Sequence, residues 1–472
     1  MRKTLAPQDW DLRVSSSGEL MVGDLRAVDL AKEYGTPLHV VNENRLKDTA
    51  IHFRKTVKSL YPGKTEVYFA YKCNSVPGIV QIIQDAGLKA EVMSEFELDL
   101  ALHLGQRGED IIVNGPCKTR VLLRKCLEKK VRLIIIDSLE ELKILDQICR
   151  AVDVKANILL RVNPDYTPKG MNQGAATGSR KGCAFGLDLK GGEVSAGLAL
   201  LKGMNKVKFS GYHFHIGTGI RDPKDYSKAL HRLASLFEST RSAGFDIEIV
   251  DVGGGFASMT SRELTSRELL VYQGFERLPS GPSLKKSVSF RDFSKEISQT
   301  LLRYFPADKM PELLFEPGRS IVSSNQFLLL TVHRVKERLG LKKWLITDGG
   351  LGTVTMPTFY EYHEVFLCND VRRPRIEKVT ISGPVCFASD IVYRNKTMPK
   401  VYPDEVLAIM DSGAYFTALE SSFGFPRPAI VSVDRTTCRL IRRAETFEDM
   451  VSRDLFLNSI LPKEGKNEIC CG

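Results

Sequence analysis

Short apolar runs and longer amphipathic segments alternate along the first two thirds of the chain. Runs rich in valine, isoleucine and leucine predict strands, and segments with apolar residues every three or four positions predict helices. The predicted strands cover residues 66–72, 89–93, 111–114, 132–137, 156–162, 208–216, 247–252 and 312–315. The predicted helices cover residues 43–60, 79–86, 95–104, 119–129, 139–152, 225–243 and 293–304.

This alternation predicts an α/β fold in which eight parallel strands close into a (β/α)8 barrel. An open doubly wound sheet is the alternative. The barrel is favoured because the polar candidate site residues follow the C-terminal ends of their strands, where barrel enzymes place their active sites.

After residue 318 the pattern changes to strand-like runs at 326–335, 343–347, 378–381, 405–410, 429–434 and 437–442. These runs predict a second, all-β domain. We therefore divide the chain into N-terminal strands that join the β domain (1–42), a barrel (43–318), the β domain (319–443) and a tail (444–472). Residues 259–290 predict a long inserted loop, and loops of that length are usually functional or mobile.

Composition and charge exclude only a few classes of function. The chain has 472 residues and a formal net charge of +10, but its basic residues are scattered, which disfavours nucleic acid as a partner. An anionic small substrate or an acidic carrier protein fits the charge as well. We expect no membrane span, because no run approaches the roughly 20 apolar residues required. Ten cysteines without a CxxC pair, and no signal-type segment, predict free thiols in the cytoplasm.

Lys72 ends the first barrel strand in the run EVYFAYKCN (66–74). Removing an ammonium group from water lowers its pKa, so a lysine buried here would provide a neutral, nucleophilic amine. A lysine whose charged end simply reaches solvent is the alternative.

Two further motifs lie on or directly after later strands. Gly253–Gly254–Gly255 follows the seventh strand, where a barrel habitually binds phosphate, although a tight packing turn explains three glycines equally well. His213 and His215 stand two residues apart on one strand and would share a face. A metal pair is then geometrically allowed, but no third ligand has matching spacing, so we expect no metal. A flat imidazole over a flat cofactor is the other interpretation for His215.

Glu316 follows the eighth strand and could bind a heteroaromatic N–H or form an internal salt bridge. Cys386, in the turn GPVC (383–386), is a candidate acid, although a lone cysteine is usually inert. Pyridoxal 5′-phosphate (PLP) needs an amine for a Schiff base, a phosphate-binding turn and a partner for its ring nitrogen. The lysine, the glycine run, the carboxylate and an imidazole that could stack on the ring together match these needs.

From about residue 35 to 433 the sequence resembles the fold-type III PLP-dependent decarboxylases of diaminopimelate, ornithine and arginine, with EPGRSIV (316–322) and HFHIG (213–217) most similar to the diaminopimelate branch. The resemblance implies that Lys72 forms the Schiff base with PLP. It also implies a homodimer in which Cys386 of one subunit returns a proton to Cα in the active site of the other.

The same resemblance implies cofactor contacts for several residues, with His215 stacking on the ring and Glu316 binding the pyridine nitrogen. The implied cofactor-binding residues are Lys72, Glu91, His215, Thr218, Gly253, Gly254, Gly255, Glu316, Gly318, Arg319 and Tyr415. The implied substrate-binding residues are Arg319, Tyr360, Glu361, Phe387 and Tyr415.

Two departures from the diaminopimelate branch concern the distal end of the substrate. Met356 stands where that branch has an arginine, and Phe387 stands where it has a glutamate after the catalytic cysteine. Losing both groups would leave a doubly charged distal end poorly solvated. The sequence therefore predicts a decarboxylase with altered distal specificity, for a less polar or differently charged end, and Glu361 could recognise an amine there.

Three alternatives stay open at this point. An amino-acid racemase on the same barrel is disfavoured because such enzymes typically place arginine where this chain has Glu316. A non-catalytic regulator is disfavoured by the intact Lys72 and Cys386. A decarboxylase acting on an aminoacyl group tethered to an acidic carrier protein would use the positive net charge and Phe387.

Overall fold

Strands and helices alternate through the first two thirds of the protein. The structure, a computed structural model, describes residues 5–283 and 289–455. In chain order the strands are β1 (Arg13–Val14), β2 (Leu20–Val22), β3 (Leu25–Arg26), β4 (Leu38–Asn42), β5 (Thr65–Ala70), β6 (Lys89–Val92), β7 (Ile111–Val113), β8 (Leu133–Ile136), β9 (Ala156–Asn163), β10 (Leu187–Asp188), β11 (Val207–His213), β12 (Ile249–Asp251), β13 (Arg262–Glu263), β14 (Glu312–Phe315), β15 (Gln326–Arg338), β16 (Lys342–Thr347), β17 (Glu361–Tyr362), β18 (Val365–Leu367), β19 (Arg375–Ser382), β20 (Ile391–Pro399), β21 (Val406–Ile409), β22 (Ala429–Asp434) and β23 (Thr437–Arg442). The helices are α1 (Ala27–Tyr34), α2 (Glu43–Leu60), α3 (Pro77–Asp85), α4 (Glu95–His103), α5 (Arg120–Glu128), α6 (Leu139–Val152), α7 (Glu193–Leu201), α8 (Lys224–Arg232), α9 (Ala234–Ser242), α10 (Ser266–Phe275), α11 (Phe290–Leu301), α12 (Arg319–Val322), α13 (Thr355–Phe359), α14 (Phe416–Leu419) and α15 (Phe447–Val451).

The predicted barrel is confirmed. Its parallel strands follow the order β9-β11-β12-β14-β5-β6-β7-β8, and β8 pairs with β9 to close the sheet. Large apolar side chains fill the interior, as a closed barrel of this size requires. These interior residues are Tyr68, Ile112, Leu133, Ile135, Leu159, Ile249 and Leu314. The C-terminal ends of all the barrel strands therefore meet at one rim.

Polar N-cap residues fix the start of several barrel helices. The side chains of Asn42, Ser94, Thr119 and Ser138 each accept a backbone N–H from the first turn of α2, α4, α5 and α6. Such caps satisfy N–H groups that have no partner inside the helix. Within residues 5–283 and 289–455, no helix is long and apolar enough to cross a membrane.

Three elements of the structure are shorter than predicted or are interrupted. The first barrel strand ends at Ala70, because residues 71–73 form a 3-10 turn in which the Asn74 N–H donates to the Tyr71 carbonyl. The strand predicted to include His215 ends at His213. The predicted helix 225–243 is interrupted at Leu233, whose N–H donates to the Leu230 carbonyl three residues back.

The prediction of a structureless loop at 259–290 is wrong. Residues 259–283, here called the inserted segment, contain β13 and α10. Thr265 and Glu268 form a reciprocal capping box at the start of α10. Strand β13 pairs antiparallel with β17, so the inserted segment is joined to the C-terminal part of the chain. Residues 284–288 lie outside the described residues.

The C-terminal part is mostly sheet, as predicted. The N-terminal strand β4 lies between β15 and β22, and its pairing with β15 is antiparallel. The first half of β15 also pairs with β21, and its second half pairs with β16. Strands β17, β18 and β20 were not predicted. The domain boundaries at residues 42, 318 and 443 stay predictions, and the tail beyond residue 455 lies outside the described residues.

Candidate active site

Lys72 lies in the turn after β5, beside Glu91 of β6. The Nζ atom is 3.3 Å from Glu91 Oε2, and 33% of the lysine side chain is exposed, against 1% for Glu91. Burial alone would lower the pKa of Lys72, but the carboxylates of Glu91 and Glu316 outweigh it and raise that pKa. The prediction that burial lowers the pKa of Lys72 is therefore wrong. Burial raises the pKa of Glu91 to about 7 although Lys72 opposes it, so Glu91 can exchange protons near neutrality.

Glu316, after β14, lies in a buried network of hydrogen bonds. Its Oε2 atom is 3.3 Å from Nε2 of His213, and its Oε1 atom accepts a hydrogen bond from Asn114 at 3.4 Å. Burial lowers the pKa of His213 well below its ordinary value, so the ring is neutral and its Nε2–H donates to Glu316. Both neighbours fix the orientation of the carboxylate.

Asp251, at the end of β12, adds a second buried carboxyl group beside Glu316. One oxygen accepts the Gly253 N–H at 2.8 Å, and the groups of His213, Asp251 and Glu316 have atoms within 4.8 Å of one another. Burial raises the pKa of Asp251 well above its usual range, and the charge of Glu316 adds to this. We infer that Asp251 is the protonated member of the pair and Glu316 the anion.

The histidine pair does not share one strand face, because β11 ends between the two residues. Nδ1 of His215 accepts the Gly254 N–H at 3.1 Å, while His213 points to Glu316. Burial lowers the pKa of His215 well below its ordinary value, so its ring is neutral. The glycine run therefore positions the His215 ring, a link that spacing along the sequence did not indicate.

The glycines are required by close packing. A Cβ at Gly254 would lie 2.1 Å from the Glu316 carbonyl oxygen, and one at Gly255 would lie 2.1 Å from the Gly217 carbonyl oxygen. Gly253 and Gly255 also have positive φ angles, of 66° and 99°, which glycine adopts without strain. The packing-turn interpretation is thus correct, and it is compatible with phosphate binding.

We predict that Gly254→Ala destabilises the protein and weakens cofactor binding, because the new methyl group must displace the backbone at Glu316. The expected loss is about 1–3 kcal/mol in the free energy of unfolding, measured by urea denaturation. Gly274→Ala is the matched control, since nothing lies within 4 Å of a Cβ placed there. Equal stability of the two variants would contradict the packing argument.

Arg319 joins three parts of the site. Its Nη1 atom is 2.7 Å from Glu361 Oε1, its Nε donates to Thr218 Oγ1 at 3.3 Å, and its guanidinium lies 5.1 Å from the centre of the Tyr415 ring. The Tyr415 N–H donates to the Cys73 carbonyl, next to Lys72 in the chain. A Cβ at Gly318 would lie 2.8 Å from Cβ of Cys73. The residues predicted around Arg319 are thus brought together.

Cys386 and Phe387 are not brought to this cluster. Both are exposed, and within the described residues no hydrogen bond or ring contact joins them to Lys72, Glu316 or Arg319. The Phe387 ring lies 6.2 Å from that of Phe423, which is also exposed.

Met356, in helix α13, and Tyr360, directly after it, pack against the C-terminal sheet. The Met356 side chain is buried in the core between the strands of that domain, and Tyr360 packs against the same core. Burial raises the pKa of Tyr360 to about 12, so its hydroxyl is protonated at neutral pH.

The residues at the rim fit PLP. Buried polar atoms Glu91 Oε1 and His213 Nδ1 have no hydrogen-bond partner among the described residues, so the pocket has capacity for a polar ligand. The rim provides the groups that this cofactor needs: an amine, a buried anion for a ring N–H, a neutral imidazole and a glycine turn.

Comparison with known proteins decides the family. Residues 46–323 match the description "Pyridoxal-dependent decarboxylase, pyridoxal binding domain", and residues 271–413 match "Pyridoxal-dependent decarboxylase, C-terminal sheet domain". The chain belongs to the pyridoxal-dependent decarboxylases. This decarboxylase is 29% identical to diaminopimelate decarboxylase from Methanocaldococcus jannaschii over 446 residues, 93% of this chain and 95% of that protein. Its identity to the Aquifex aeolicus enzyme is also 29%, over 93% and 96% of the two chains.

Solved structures agree with this assignment. The crystal structure of the M. jannaschii enzyme has a TM-score of 0.82 at 28% identity and covers 96% of this chain and 98% of its own. Lysine/ornithine decarboxylase from Vibrio vulnificus, at 19% identity and a TM-score of 0.69, shows the shared fold. The protein is therefore a PLP-dependent carboxy-lyase. These relatives do not favour the racemase, the non-catalytic regulator or the carrier-tethered alternative.

Sequence reasoning missed several residues of the site. Asn114 ends a predicted strand and could have been noticed by that position, as could Asp251, two residues before the glycine run. Glu263 and His363 gave no signal, because each reaches the site through pairing between distant segments.

Proposed function

We propose that the protein releases carbon dioxide from the α-carbon of a long amino acid with a polar distal end, of the diaminopimelate type. The observation that supports this most is the placement of Lys72, 3.3 Å from Glu91, on the same rim as the buried Glu316. The named activity of the relatives, diaminopimelate decarboxylation, agrees with it.

Glu316 is the residue we assign to the ring nitrogen of the cofactor. When bound, PLP supplies a conjugated ring that accepts the electron pair left at Cα as carbon dioxide departs. Glu316 stays anionic because Asp251 keeps the proton of the pair, and it can then hold a proton on the ring nitrogen. His213 and Asn114 prevent the carboxylate from turning away.

Lys72 and Glu91 form the second functional pair. We assign Lys72 to the covalent attachment of the cofactor. The carboxyl group of Glu91, with its pKa of about 7, can take up and return the proton that the lysine amine loses and regains.

Neutral and backbone groups complete the cofactor site. His215 presents an uncharged ring for stacking, and Tyr415 packs beneath Arg319. The N–H groups of Gly253 and Gly254 donate to Asp251 and His215. We therefore assign the phosphate to the Gly255 N–H and the Thr218 hydroxyl, beside Gly318.

We propose that the active form is a homodimer with shared sites. Cys386 is exposed and separate from Lys72, so a second copy is the simplest source of a thiol that could reach Cα. The exposed aromatic residues Phe387 and Phe423 next to it suit a protein interface. All eight cysteines in the described part of the chain are unpaired, which supports our proposal of a reducing, cytoplasmic setting.

The distal end of the substrate is recognised without residue 356, whose side chain lies in the sheet core. The sequence-based expectation of a less polar distal end assumed that nothing replaces the missing arginine and glutamate. Arg319 and the acidic side chains around it offer such a replacement, so we propose that the distal end is charged.

The test is carbon dioxide release by the purified, PLP-loaded protein with meso-diaminopimelate, lysine, ornithine, arginine and glutamate. We expect turnover of meso-diaminopimelate to exceed that of the others by about tenfold or more, the value of one charged hydrogen bond. No release from any of these amino acids, with salt-sensitive release from an aminoacyl carrier protein, would contradict the proposal.

A further inference from the structure

The inserted segment brings a carboxylate to Arg319. In the β13–β17 pair Glu263 is directly opposite Glu361, and Arg262 is opposite Tyr362. Residues directly opposite in an antiparallel pair project to the same side, and like charges there are destabilising. The guanidinium of Arg319 lies near both carboxylates and offsets that repulsion.

Glu361 has ionic partners within the chain, although its Oε1 atom has no aligned hydrogen bond among the described residues. Its Oε1 atom is 2.7 Å from Arg319, and its Oε2 atom is 3.0 Å from Nε2 of His363. Nδ1 of His363 in turn lies 2.8 Å from the Met410 carbonyl. Burial alone would raise the pKa of Glu361, but Arg319 and His363 hold it below its usual value.

Arg319 and Glu263 are left with complementary unpaired atoms. Nη2 of Arg319 and Oε1 of Glu263 are 3.9 Å apart, too far for a hydrogen bond, and neither has a hydrogen-bond partner among the described residues. Their side chains are only 5% and 12% exposed. A buried donor and a buried acceptor without partners are each destabilising.

A cavity gives access to the Glu263 side of this pair. It has a volume of about 310 Å³ and is bordered by Glu263, Thr218 and Met171. A second void of about 10 Å³ lies between Glu263, Arg319 and Glu361, and at that size it accommodates at most one water. A ligand group larger than a water therefore enters from the larger cavity, which Glu263 borders, and meets Arg319 across this void.

We propose that Glu263 is a specificity-determining residue that pairs with the distal ammonium group of the substrate, while Nη2 of Arg319 pairs with the distal carboxylate. An ammonium alone would leave Nη2 unpaired, and a carboxylate alone would leave Glu263 unpaired. A zwitterionic amino-acid end satisfies both. This inference rests on the proposed function, and it explains how the chain manages without an arginine at Met356 and a glutamate at Phe387.

Titration of Glu263 makes its proposed pairing with the distal ammonium depend on pH. Burial raises the pKa of Glu263 to about 8, with Arg319 and Arg221 opposing and Glu361 adding to the effect. Below that pH the carboxyl group is protonated and accepts the ammonium poorly. The affinity for a substrate with a distal ammonium should therefore rise as the pH increases from 6.5 to 8.5, and Glu263→Gln should abolish this rise.

The experiment compares meso-diaminopimelate with D-2-aminopimelate and L-2-aminopimelate, of which the enantiomer that keeps the reacting centre differs from it only in the distal ammonium. Their dissociation constants are measured by equilibrium dialysis with Lys72→Ala protein supplied with PLP, which needs no turnover. We expect the diamino ligand to bind about 10–100-fold more tightly, and Glu263→Gln to reduce this ratio to within about threefold. In the protein with Lys72, the same substitution should raise KM for meso-diaminopimelate with little change in kcat.

Glu276→Gln is the matched control, because Glu276 belongs to the same segment but pairs with Lys342 outside the site. Thermal melts show whether each variant is folded, and Glu263→Asp, which keeps the charge, should retain part of the preference. An unchanged ligand ratio in folded Glu263→Gln, or equal effects of Glu263→Gln and Glu276→Gln, would overturn the proposal and indicate that only water bridges Glu263 and Arg319. Retained binding selectivity without any decarboxylation would instead refute the proposed function alone.

Discussion

Lys72→Ala is expected to remove the long-wavelength absorbance of the bound cofactor and to lower decarboxylation by more than about 1,000-fold. The substituted chain has no amine at the end of β5 for covalent attachment. We expect the protein to remain folded, because Glu91 can become protonated near neutral pH when its cation is removed. The measurements are an absorbance spectrum after dialysis against PLP, and carbon dioxide release.

Lys55→Ala is the control for this substitution, since Lys55 is an exposed lysine on the outer helix α2. It should bind the cofactor and turn over substrate as the unmodified protein does. If Lys72→Ala retained the absorbance band, or if both lysine variants lost it equally, the assignment of Lys72 would be wrong.

Mixing two inactive variants is expected to restore activity. Lys72→Ala and Cys386→Ala each lack a group that every site needs, but a dimer containing one chain of each has one complete site if the thiol comes from the partner. Random exchange between symmetric dimers would restore about a quarter of full activity. The measurement is carbon dioxide release after the two variants are mixed and allowed to exchange subunits.

Cys117→Ala is the matched control, because Cys117 is also exposed but lies at the barrel rather than in the 383–390 loop. It should be active alone. Restoration would fail if Cys386 acted within its own chain, and a monomer in sedimentation analysis would refute the shared site directly.

The barrel was predictable because its signals are local. Apolar runs followed by a cap residue such as Ser94 or Ser138 define each strand–helix unit within about 25 residues, and closure of the sheet brings the strand ends to one rim. Lys72 and Glu316 could therefore be placed on one rim from the ends of their strands, whereas Glu91 was predicted only through the family resemblance.

The inserted segment was not predicted, although one local signal was present. Thr265 and Glu268 have the spacing of a capping box, and apolar residues follow them. Its serine, arginine and proline content led to the loop prediction. Strand β13 has no signal of its own, because it exists through its pairing with β17, about 100 residues away.

The pKa values and ion pairs of the site depend on contacts between distant segments, which cannot be read from the sequence. Burial by itself argued for a lowered pKa at Lys72, yet the fold buries two carboxylates with it and reverses the direction. Glu361 looked available for a substrate amine, but it is paired with Arg319 and His363. Side-chain partners from distant segments decide both outcomes.

The most direct test of the central claim follows the α-carboxyl carbon. Purified, PLP-loaded protein is incubated with meso-diaminopimelate labelled in its carboxyl carbons, and the released gas and remaining amino acid are analysed. We expect one labelled carbon dioxide and one lysine for each substrate consumed. Retention of all label with inversion at Cα would identify a racemase, and no reaction by protein with bound cofactor would contradict the assignment of a decarboxylase for this substrate class.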